Sequence, residues 1–373
     1  MKTKRKKKPA GLRIILMAAV LFAAAVLIYA VAENRNDLTP QNILNTITSF
    51  GHRETAAEFT YEDGAEGIFA DLNGGLISVS KGHIRIFDRT GTEKVTEFVS
   101  LTKPMVISGG GRAVVYDEGG TFLRVFDGME TKMDEEAENP IISASLNKNG
   151  WLALCEEDTG YKSSVTVYDS SGNVAYEWYS AENYILSAEI SPDNKRLSVL
   201  TIGQIGAGIV FLKLDSESEE GRFKLDGEVI LDIKYKDSTT VTAVTQSAVI
   251  TVDNSGEESA RYDFSSKTLS AFTLDGGGFA VLVLSENALG SGGSEVCSVS
   301  GGKLLGSAAY EERVTDVSAS GDRIAVLTQG VLKTYKKNMT EIASFTTDAG
   351  AGGAIIRDDG RAVVTGAYRA VVF

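Results

Sequence analysis

Three stretches of the chain follow one pattern: Ile84-Arg85-Ile86-Phe87-Asp88, Leu123-Arg124-Val125-Phe126-Asp127 and Val165-Thr166-Val167-Tyr168-Asp169. Each alternates apolar side chains with other residues and stops at an aspartate, which is typical of a β-strand followed by a turn. Five weaker copies end at Leu214, Val252, Val299, Tyr335 and Phe373. Successive copies end 36 to 47 residues apart. The chain from about residue 56 onward is therefore a repeat of eight similar units.

A tight polar turn precedes each of the eight copies, so the turns also indicate eight units. The turns are Asn73-Gly74-Gly75, Gly109-Gly110-Gly111, Asn149-Gly150, Asp193-Asn194, Asp237-Ser238, Gly276-Gly277-Gly278, Gly321-Asp322 and Asp359-Gly360. Behind them come almost continuous apolar runs, for example residues 113–116, 152–155, 279–284 and 324–327. Runs of this kind are typical of strands that are buried on both faces.

A four-stranded unit of about 41 residues, repeated eight times, is typical of a β-propeller. We predict an all-β fold with eight blades over residues 56–373, with seven blades as the alternative. The strands of a blade are labelled a to d from the central axis outward. The repeat begins with a lone d-type strand at residues 58–61 and ends on a c-type strand at residues 370–373. Pairing of these two strands would close the ring and leave no long free edge.

The first 55 residues have a different composition. Residues 1–13 carry seven Lys and Arg residues and no acid, and residues 14–32 carry no charge. Nineteen helical residues span about 28 Å, close to a bilayer core, so we predict a transmembrane helix at 14–32 with a cytoplasmic basic tip. Residues 33–55 are expected to form a linker with a short amphipathic helix. The alternative is a secretory signal cleaved near Ala32, which would release the propeller.

Charge and motif content narrow the function. Beyond residue 13 the chain has 20 more acidic than basic residues, which argues against nucleic acid as a partner. Two cysteines lie 142 residues apart and the only histidines are His52 and His83, so neither a disulfide framework nor a metal or triad motif is indicated. Phosphate-loop, nucleophile-elbow and zinc-protease motifs are missing from the sequence. We therefore predict no catalytic residue, no cofactor and no metal.

The basic tip, the membrane span and the repeated strands together resemble a family of uncharacterised Gram-positive membrane-anchored envelope proteins. Their propellers are similar to those of the WD40 and quinoprotein superfamilies. No c strand ends in the Trp-Asp pair of WD40 repeats, and the chain has only Trp151 and Trp178, too few for one docking tryptophan per blade. The resemblance implies a fold and a cell-membrane location with the propeller outside the cell, and it implies no quinone cofactor.

Loop geometry sorts the charges onto two sides of a propeller. The turn face is defined by the a–b and c–d turns, and the loop face by the b–c and d–a loops. Basic residues collect at the turn face, and acidic residues and the longest loops, near 156–163 and 285–294, collect at the loop face. The predicted partner-binding residues lie on the loop face: Glu156, Glu157, Asp158, Tyr161, Glu182, Tyr184, Tyr310, Glu311 and Glu312.

Two functions fit these patterns. The first is a non-catalytic, membrane-tethered binding or scaffold module in the bacterial cell envelope, with a monomeric ectodomain and an envelope protein or wall polymer as partner. The second is an extracellular hydrolase or carbohydrate-active enzyme that uses carboxylates of the loop face. An enzyme should bring two or more carboxylates with perturbed titration to one pocket, whereas a scaffold should present a broad exposed patch.

Overall fold

A computed structural model describes residues 57–61, 67–204, 206–216, 218–286, 293–348, 350–357 and 359–373. The predicted basic tip, membrane span and linker helix lie outside these residues. Within the described residues, no helix has the length and apolar character to cross a membrane. Residues 57–373 form one compact unit.

The described residues form eight four-stranded antiparallel sheets, each built from consecutive strands except the last. Eight blades are therefore present, and the seven-blade alternative was wrong. The strands of blades 1 to 4 are β2 (Ile68–Leu72), β3 (Gly75–Val79), β4 (His83–Phe87), β5 (Glu93–Phe98); β6 (Pro104–Gly109), β7 (Arg112–Asp117), β8 (Phe122–Asp127), β9 (Glu130–Glu136); β10 (Ile141–Leu146), β11 (Leu152–Glu157), β12 (Ser163–Tyr168), β13 (Val174–Ser180); β14 (Tyr184–Ile190), β15 (Arg196–Gly203), β16 (Gly206–Lys213) and β17 (Glu219–Leu225).

Blades 5 to 8 repeat this arrangement. Their strands are β18 (Ile230–Tyr235), β19 (Thr240–Thr245), β20 (Ala248–Asp253), β21 (Glu258–Asp263); β22 (Thr268–Thr273), β23 (Ala280–Ser285), β24 (Ser294–Ser300), β25 (Lys303–Tyr310); β26 (Val314–Ser320), β27 (Arg323–Thr328), β28 (Val331–Lys336), β29 (Glu341–Thr346); β30 (Gly353–Ile356), β31 (Ala362–Thr365), β32 (Arg369–Val372) and β1 (Glu58–Thr60).

The core is divided among the junctions between blades. Each of eight hydrophobic clusters joins one pair of neighbouring sheets, and the series runs from blades 1 and 2 round to blades 8 and 1. The b strands lie between two such clusters, and all five residues of β3 are buried. The d strands expose alternate residues, as in β5. Burial on both faces explains why the b strands are continuously apolar in sequence.

The predicted closure of the ring is confirmed. Strand β1 pairs antiparallel with β32, with Phe59 opposite Ala370. The Phe59 ring is fully buried between blades 8 and 1 and meets the ring of Phe87 edge-on at 6.0 Å between centroids. Sheet hydrogen bonds and side-chain packing therefore both join the two ends of the repeat.

A buried arginine adds to this junction. Arg357 follows β30 and is only 3% exposed. Its Nη2 donates to the carbonyl oxygen of Gly75 at 2.9 Å, and its Nε lies 2.7 Å from the Asp71 carboxylate in the first blade. Burial lowers the pKa of the guanidinium. The ion pair and the hydrogen bond to the main chain compensate for removing this charge from water.

Candidate functional site

The residues predicted to bind a partner fall into two groups on the loop face. The first group lies on blades 3 and 4, at the end of β11, the start of β14 and in the β11–β12 and β13–β14 loops. It contains Glu156, Glu157, Asp158, Tyr161, Glu182 and Tyr184. The second group, Tyr310, Glu311 and Glu312, lies between blades 6 and 7. The structure thus distributes the nine residues over two separate regions of the loop face.

Three exposed tyrosines lie in this region, two from the first group and one from β13, and we call them the tyrosine patch: Tyr161, Tyr179 and Tyr184. Their exposed fractions are 50%, 44% and 52%. The rings of Tyr161 and Tyr179 lie 5.1 Å apart between centroids. The Lys162 ammonium lies 4.8 Å from the centre of the Tyr184 ring and 3.5 Å from its hydroxyl oxygen. Large aromatic side chains held at the surface are typical of binding surfaces.

Local hydrogen bonds hold this patch in shape. The Asp158 carboxylate accepts hydrogen bonds from the amides of Gly160 and Tyr161, at 2.7 and 2.8 Å, which folds the loop back on itself. The amide of Lys162 donates to the carbonyl oxygen of Ser180 at 2.8 Å, at the end of β13. The amide of Ile185 donates to Ser163 Oγ at 2.8 Å and ties blade 4 to blade 3. The aromatic rings are therefore attached to a positioned backbone.

Acidic side chains surround the patch. Glu157, Glu177 and Glu182 are exposed, and none of them forms an ion pair with another described residue. The negative charge of Glu177, and then burial and the more distant Asp158, raise the pKa of Tyr179. This first group therefore combines aromatic surface with negative charge that nearby cations do not neutralise.

Glu156 differs from its neighbours because it is buried. Only 7% of the residue is exposed, and its Oε1 accepts a hydrogen bond from the amide of Asn139 at 3.3 Å. Burial raises the pKa of this carboxyl, and Glu138 and Asp158 raise it further. Its position beneath the loop between β9 and β10 gives it a structural contact, whereas Glu157 beside it faces solvent.

The aromatic residue of the second group, Tyr310, is less exposed than the tyrosines of the first group. Tyr310 is half-buried, and its hydroxyl lies 2.6 Å from that of Tyr335 in the next blade. Burial raises the pKa of Tyr310. Glu311 and Glu312 are exposed, and Glu312 lines a cleft of about 460 Å³ together with Arg313, Thr315, Gln329 and Ala351. Glu312 is the one carboxylate among these lining residues.

A charged row on the innermost strands was missed by the sequence analysis. Lys234 Nζ on β18 lies 3.4 Å from the Glu189 carboxylate on β14 and 3.5 Å from the Asp275 carboxylate beyond β22. Burial raises the pKa of Glu189 to about 7, against the opposing effect of Lys234. Burial likewise raises the pKa of Asp232 to about 6. The signal available in the sequence was the presence of charged residues in the a strands of two consecutive units, Glu189 in one and Asp232 and Lys234 in the next.

Bulges in the a strands determine which residues reach this row. The pairing of the a and b strands shifts register at one place in five consecutive blades, for example between Ile185 and Ser187 and between Ile230 and Asp232. An extra residue in one strand changes the face to which the following side chains point. Simple alternation along the sequence therefore does not identify the residues that line the axis.

Metal and thiol chemistry find little support in the described part of the chain. No group of three or more His, Cys, Asp or Glu side chains there is arranged to hold a metal ion. Cys155 and Cys297 are free and buried. Burial raises the pKa of both thiols to about 12, so they remain protonated at neutral pH.

Ion pairs neutralise much of the basic charge on the turn face. Four of the arginines at or beside the a–b turns have carboxylate partners within 3.3 Å, namely Arg112 with Asp127, Arg196 with Glu220, Arg323 with Asp322 and Arg361 with Asp359. The turn face therefore has less free positive charge than its sequence composition suggests.

Comparison with known proteins agrees with the fold. Residues 46–365 match the family of unknown function DUF5711. The chain belongs to that family. No curated protein matches this DUF5711 chain. Among solved structures, it is similar to the C-terminal WD40 domain of Sif2, with 14% identity, a TM-score of 0.57 and coverage of 86% of this chain and 99% of that one.

A second similar structure is BamB from Moraxella catarrhalis. The identity is 14% and the TM-score 0.51, and the match covers 85% of this chain and 98% of BamB. At this level of identity, both likenesses support the β-propeller fold alone. The family relationship itself leaves the function of the chain open.

Proposed function

We propose that this DUF5711 protein is a membrane-tethered, extracytoplasmic binding module of the bacterial cell envelope that acts without catalysis. The partner is an envelope protein or wall polymer, and it contacts the loop face where blades 3 and 4 meet. The tyrosine patch carries this proposal, because three large aromatic side chains remain exposed in a loop region fixed by hydrogen bonds. Rigid aromatic residues cost little conformational entropy when a partner orders them.

The membrane location rests on the sequence. The uncharged residues 14–32 follow a tip with seven basic residues, which favours a single-pass anchor with the propeller outside the cell. The resemblance to Gram-positive envelope proteins points the same way. The two tryptophans of the chain both belong to blade 3, too few for the one docking tryptophan per blade of quinone-binding propellers, which favours a binding surface over a quinone site.

The size of the native complex tests the binding function. Full-length chain extracted from membranes in mild detergent should migrate as part of a larger complex in a native gel. Replacing Tyr161, Tyr179 and Tyr184 together with Ser should release it as a free protein, because the aromatic contact surface is lost. The matched control is Glu311→Gln with Glu312→Gln on the same face. A complex that survives the tyrosine replacements would contradict the proposal.

The hydrolase alternative depends on the carboxylates near the axis. Glu189 and Asp232 have raised pKa values, which are typical of catalytic acids as well as of buried structural groups. However, the Glu189 carboxylate already pairs with Lys234, and Glu312 lines the cleft at a different junction. Two perturbed carboxylates therefore do not converge on that cleft. If Glu189→Gln leaves the chain folded but no longer restores the wild-type behaviour of cells that lack the gene, the result would favour the hydrolase alternative.

A further inference from the structure

We infer that the partner of the tyrosine patch presents a cationic polypeptide segment that carries Lys or Arg side chains. This inference rests on the proposed function and specifies the chemistry of its partner. The patch offers aromatic faces and free carboxylates side by side, which is the combination that binds ammonium and guanidinium groups.

Unneutralised charge is the first observation. Glu157 and Glu182 border the patch, are exposed, and have no ion-pair partner among the described residues, whereas arginines of the turn face are largely paired. Asp158 and Glu138 add negative potential there, since both contribute to the raised pKa of Tyr179 in the patch. A partner with positive charge would lower this repulsion, and one with negative charge would increase it.

The position of Lys162 is the second and independent observation. Its ammonium does not pair with a described carboxylate and lies instead over the Tyr184 ring, 4.8 Å from the centroid. The chain thus already holds one cation against the patch by an interaction that a ligand cation would share. Lys162 is also the one Lys or Arg within residues 149–194, so it is the local competitor for an incoming positive charge.

The shape of the patch favours an extended segment over a single ion. The Tyr161 and Tyr179 rings pack together at 5.1 Å, and Tyr184 stands at the start of the neighbouring blade beside Lys162. Partly exposed Leu186 extends the surface along β14, with 36% of its area accessible. A row of aromatic and apolar side chains that crosses a blade junction suits alternate side chains of an extended peptide.

The test uses full-length chain in nonionic detergent and fluorescent peptides of alternating Gly and Lys, or Gly and Glu, read by anisotropy. The Lys peptide should bind, more weakly at higher salt, and the Glu peptide should not. Neutralising Glu157→Gln and Glu182→Gln should weaken binding about fivefold to tenfold. The control pair Glu311→Gln and Glu312→Gln removes the same charge from the same face and should leave the affinity unchanged.

A single substitution tests the role of Lys162, while the two glutamate pairs separate a local site from a general attraction to an acidic protein. Lys162→Met removes the competing cation and keeps an unbranched side chain, so the affinity for the Lys peptide should rise about threefold. An unchanged or weaker affinity would overturn the inference, as would equal losses in the two glutamate pairs.

Failure here is distinguishable from failure of the proposed function. If the Lys peptide does not bind but the tyrosine replacements still dissociate the native complex, the cationic partner is refuted and the binding module stands. A wall polymer that competes with the complex while the Lys peptide fails would also refute the inference. If the complex survives the tyrosine replacements, the proposed function itself is wrong.

Discussion

The junction between the last and first blades should be the site at which one substitution destabilises the whole ring. Phe59 supplies the largest buried side chain of the three-residue strand β1 and packs edge-on against Phe87. Phe59→Ala removes a fully buried ring, a change that costs about 3 to 5 kcal/mol in protein cores. That loss is a large fraction of the 5 to 15 kcal/mol by which domains are typically stable.

Urea unfolding of the full-length chain in mild detergent would measure this loss. The two tryptophans, Trp151 and Trp178, both lie in blade 3 and pack against the cluster between blades 3 and 4. They report on a part of the ring remote from Phe59. If the ring unfolds cooperatively, Phe59→Ala lowers the equilibrium constant for folding by about two to three and a half decades at these tryptophans.

An exposed phenylalanine supplies the matched control. Phe98 is 83% exposed, so Phe98→Ala should change the free energy of unfolding by about 0.5 kcal/mol or less. The reasoning is refuted if Phe59→Ala and Phe98→Ala shift the tryptophan transition equally. It is also refuted if Phe59→Ala leaves the tryptophan transition unchanged, because β1 would then be an appendage and not the closure of the ring.

Three further predictions follow from other parts of the chain. Thr60 and Arg369 lie opposite each other in β1 and β32, and the flanking backbone hydrogen bonds make them a closely spaced non-hydrogen-bonded pair. Cysteines at these two positions should therefore form a disulfide on mild oxidation. Thiols that stay free, as measured by mass spectrometry, would argue against this register. The raised pKa of Glu189 means that the folded state holds this proton more tightly than the unfolded state, so the free energy of unfolding should fall as pH rises from 4.5 to about 7. Glu189→Gln should flatten this pH dependence in urea titrations. An unchanged pH dependence in the variant would contradict the prediction. Tyr368 is 67% exposed, so Tyr368→Cys should react with a membrane-impermeant maleimide on intact cells. The buried native cysteines should stay unreactive. Labelling that occurs only after permeabilisation would place the propeller inside the cell.

The sequence predicted the fold because a propeller repeats one physical problem eight times. Each b strand must be apolar on both faces, and seven of the eight predicted a–b turns contain a residue with a positive φ. Asn73 and Asn194, for example, have φ values of 55° and 58° in two of the predicted turns. The strand at residues 58–61 could be identified as the missing outer strand because the last repeat stops one strand short.

The candidate site was only partly predictable. Tyr161 and Tyr184 were predicted because they lie in segments of the loop face. Tyr179 was missed because it belongs to the outer strand β13, where the exposure of a side chain depends on which face of the strand it occupies. Glu156 adjoins Glu157 in sequence, yet the pleat of β11 turns one carboxylate inward and the other outward. Two neighbouring residues of the same type in one strand therefore have different environments.

The inner charged row shows a different limit. Glu189 and Lys234 belong to different repeats and meet because their blades are neighbours and their strands are bulged. The hydrophobic pattern of the sequence does not predict register shifts of one residue. Arg357 was missed for a similar reason, since its partner Asp71 lies almost the whole repeat away in sequence and is adjacent only in the closed ring.

A photo-crosslinking scan in living cells tests most directly whether the tyrosine patch is the binding surface. A photoreactive amino acid would replace Tyr161 or Tyr184 on the loop face, and Leu304 or Ile342 at exposed starts of outer strands near the turn face. We predict a discrete adduct from the two tyrosine positions and none from the other two. Adducts of equal yield from both faces, or from Leu304 and Ile342 alone, would contradict the account.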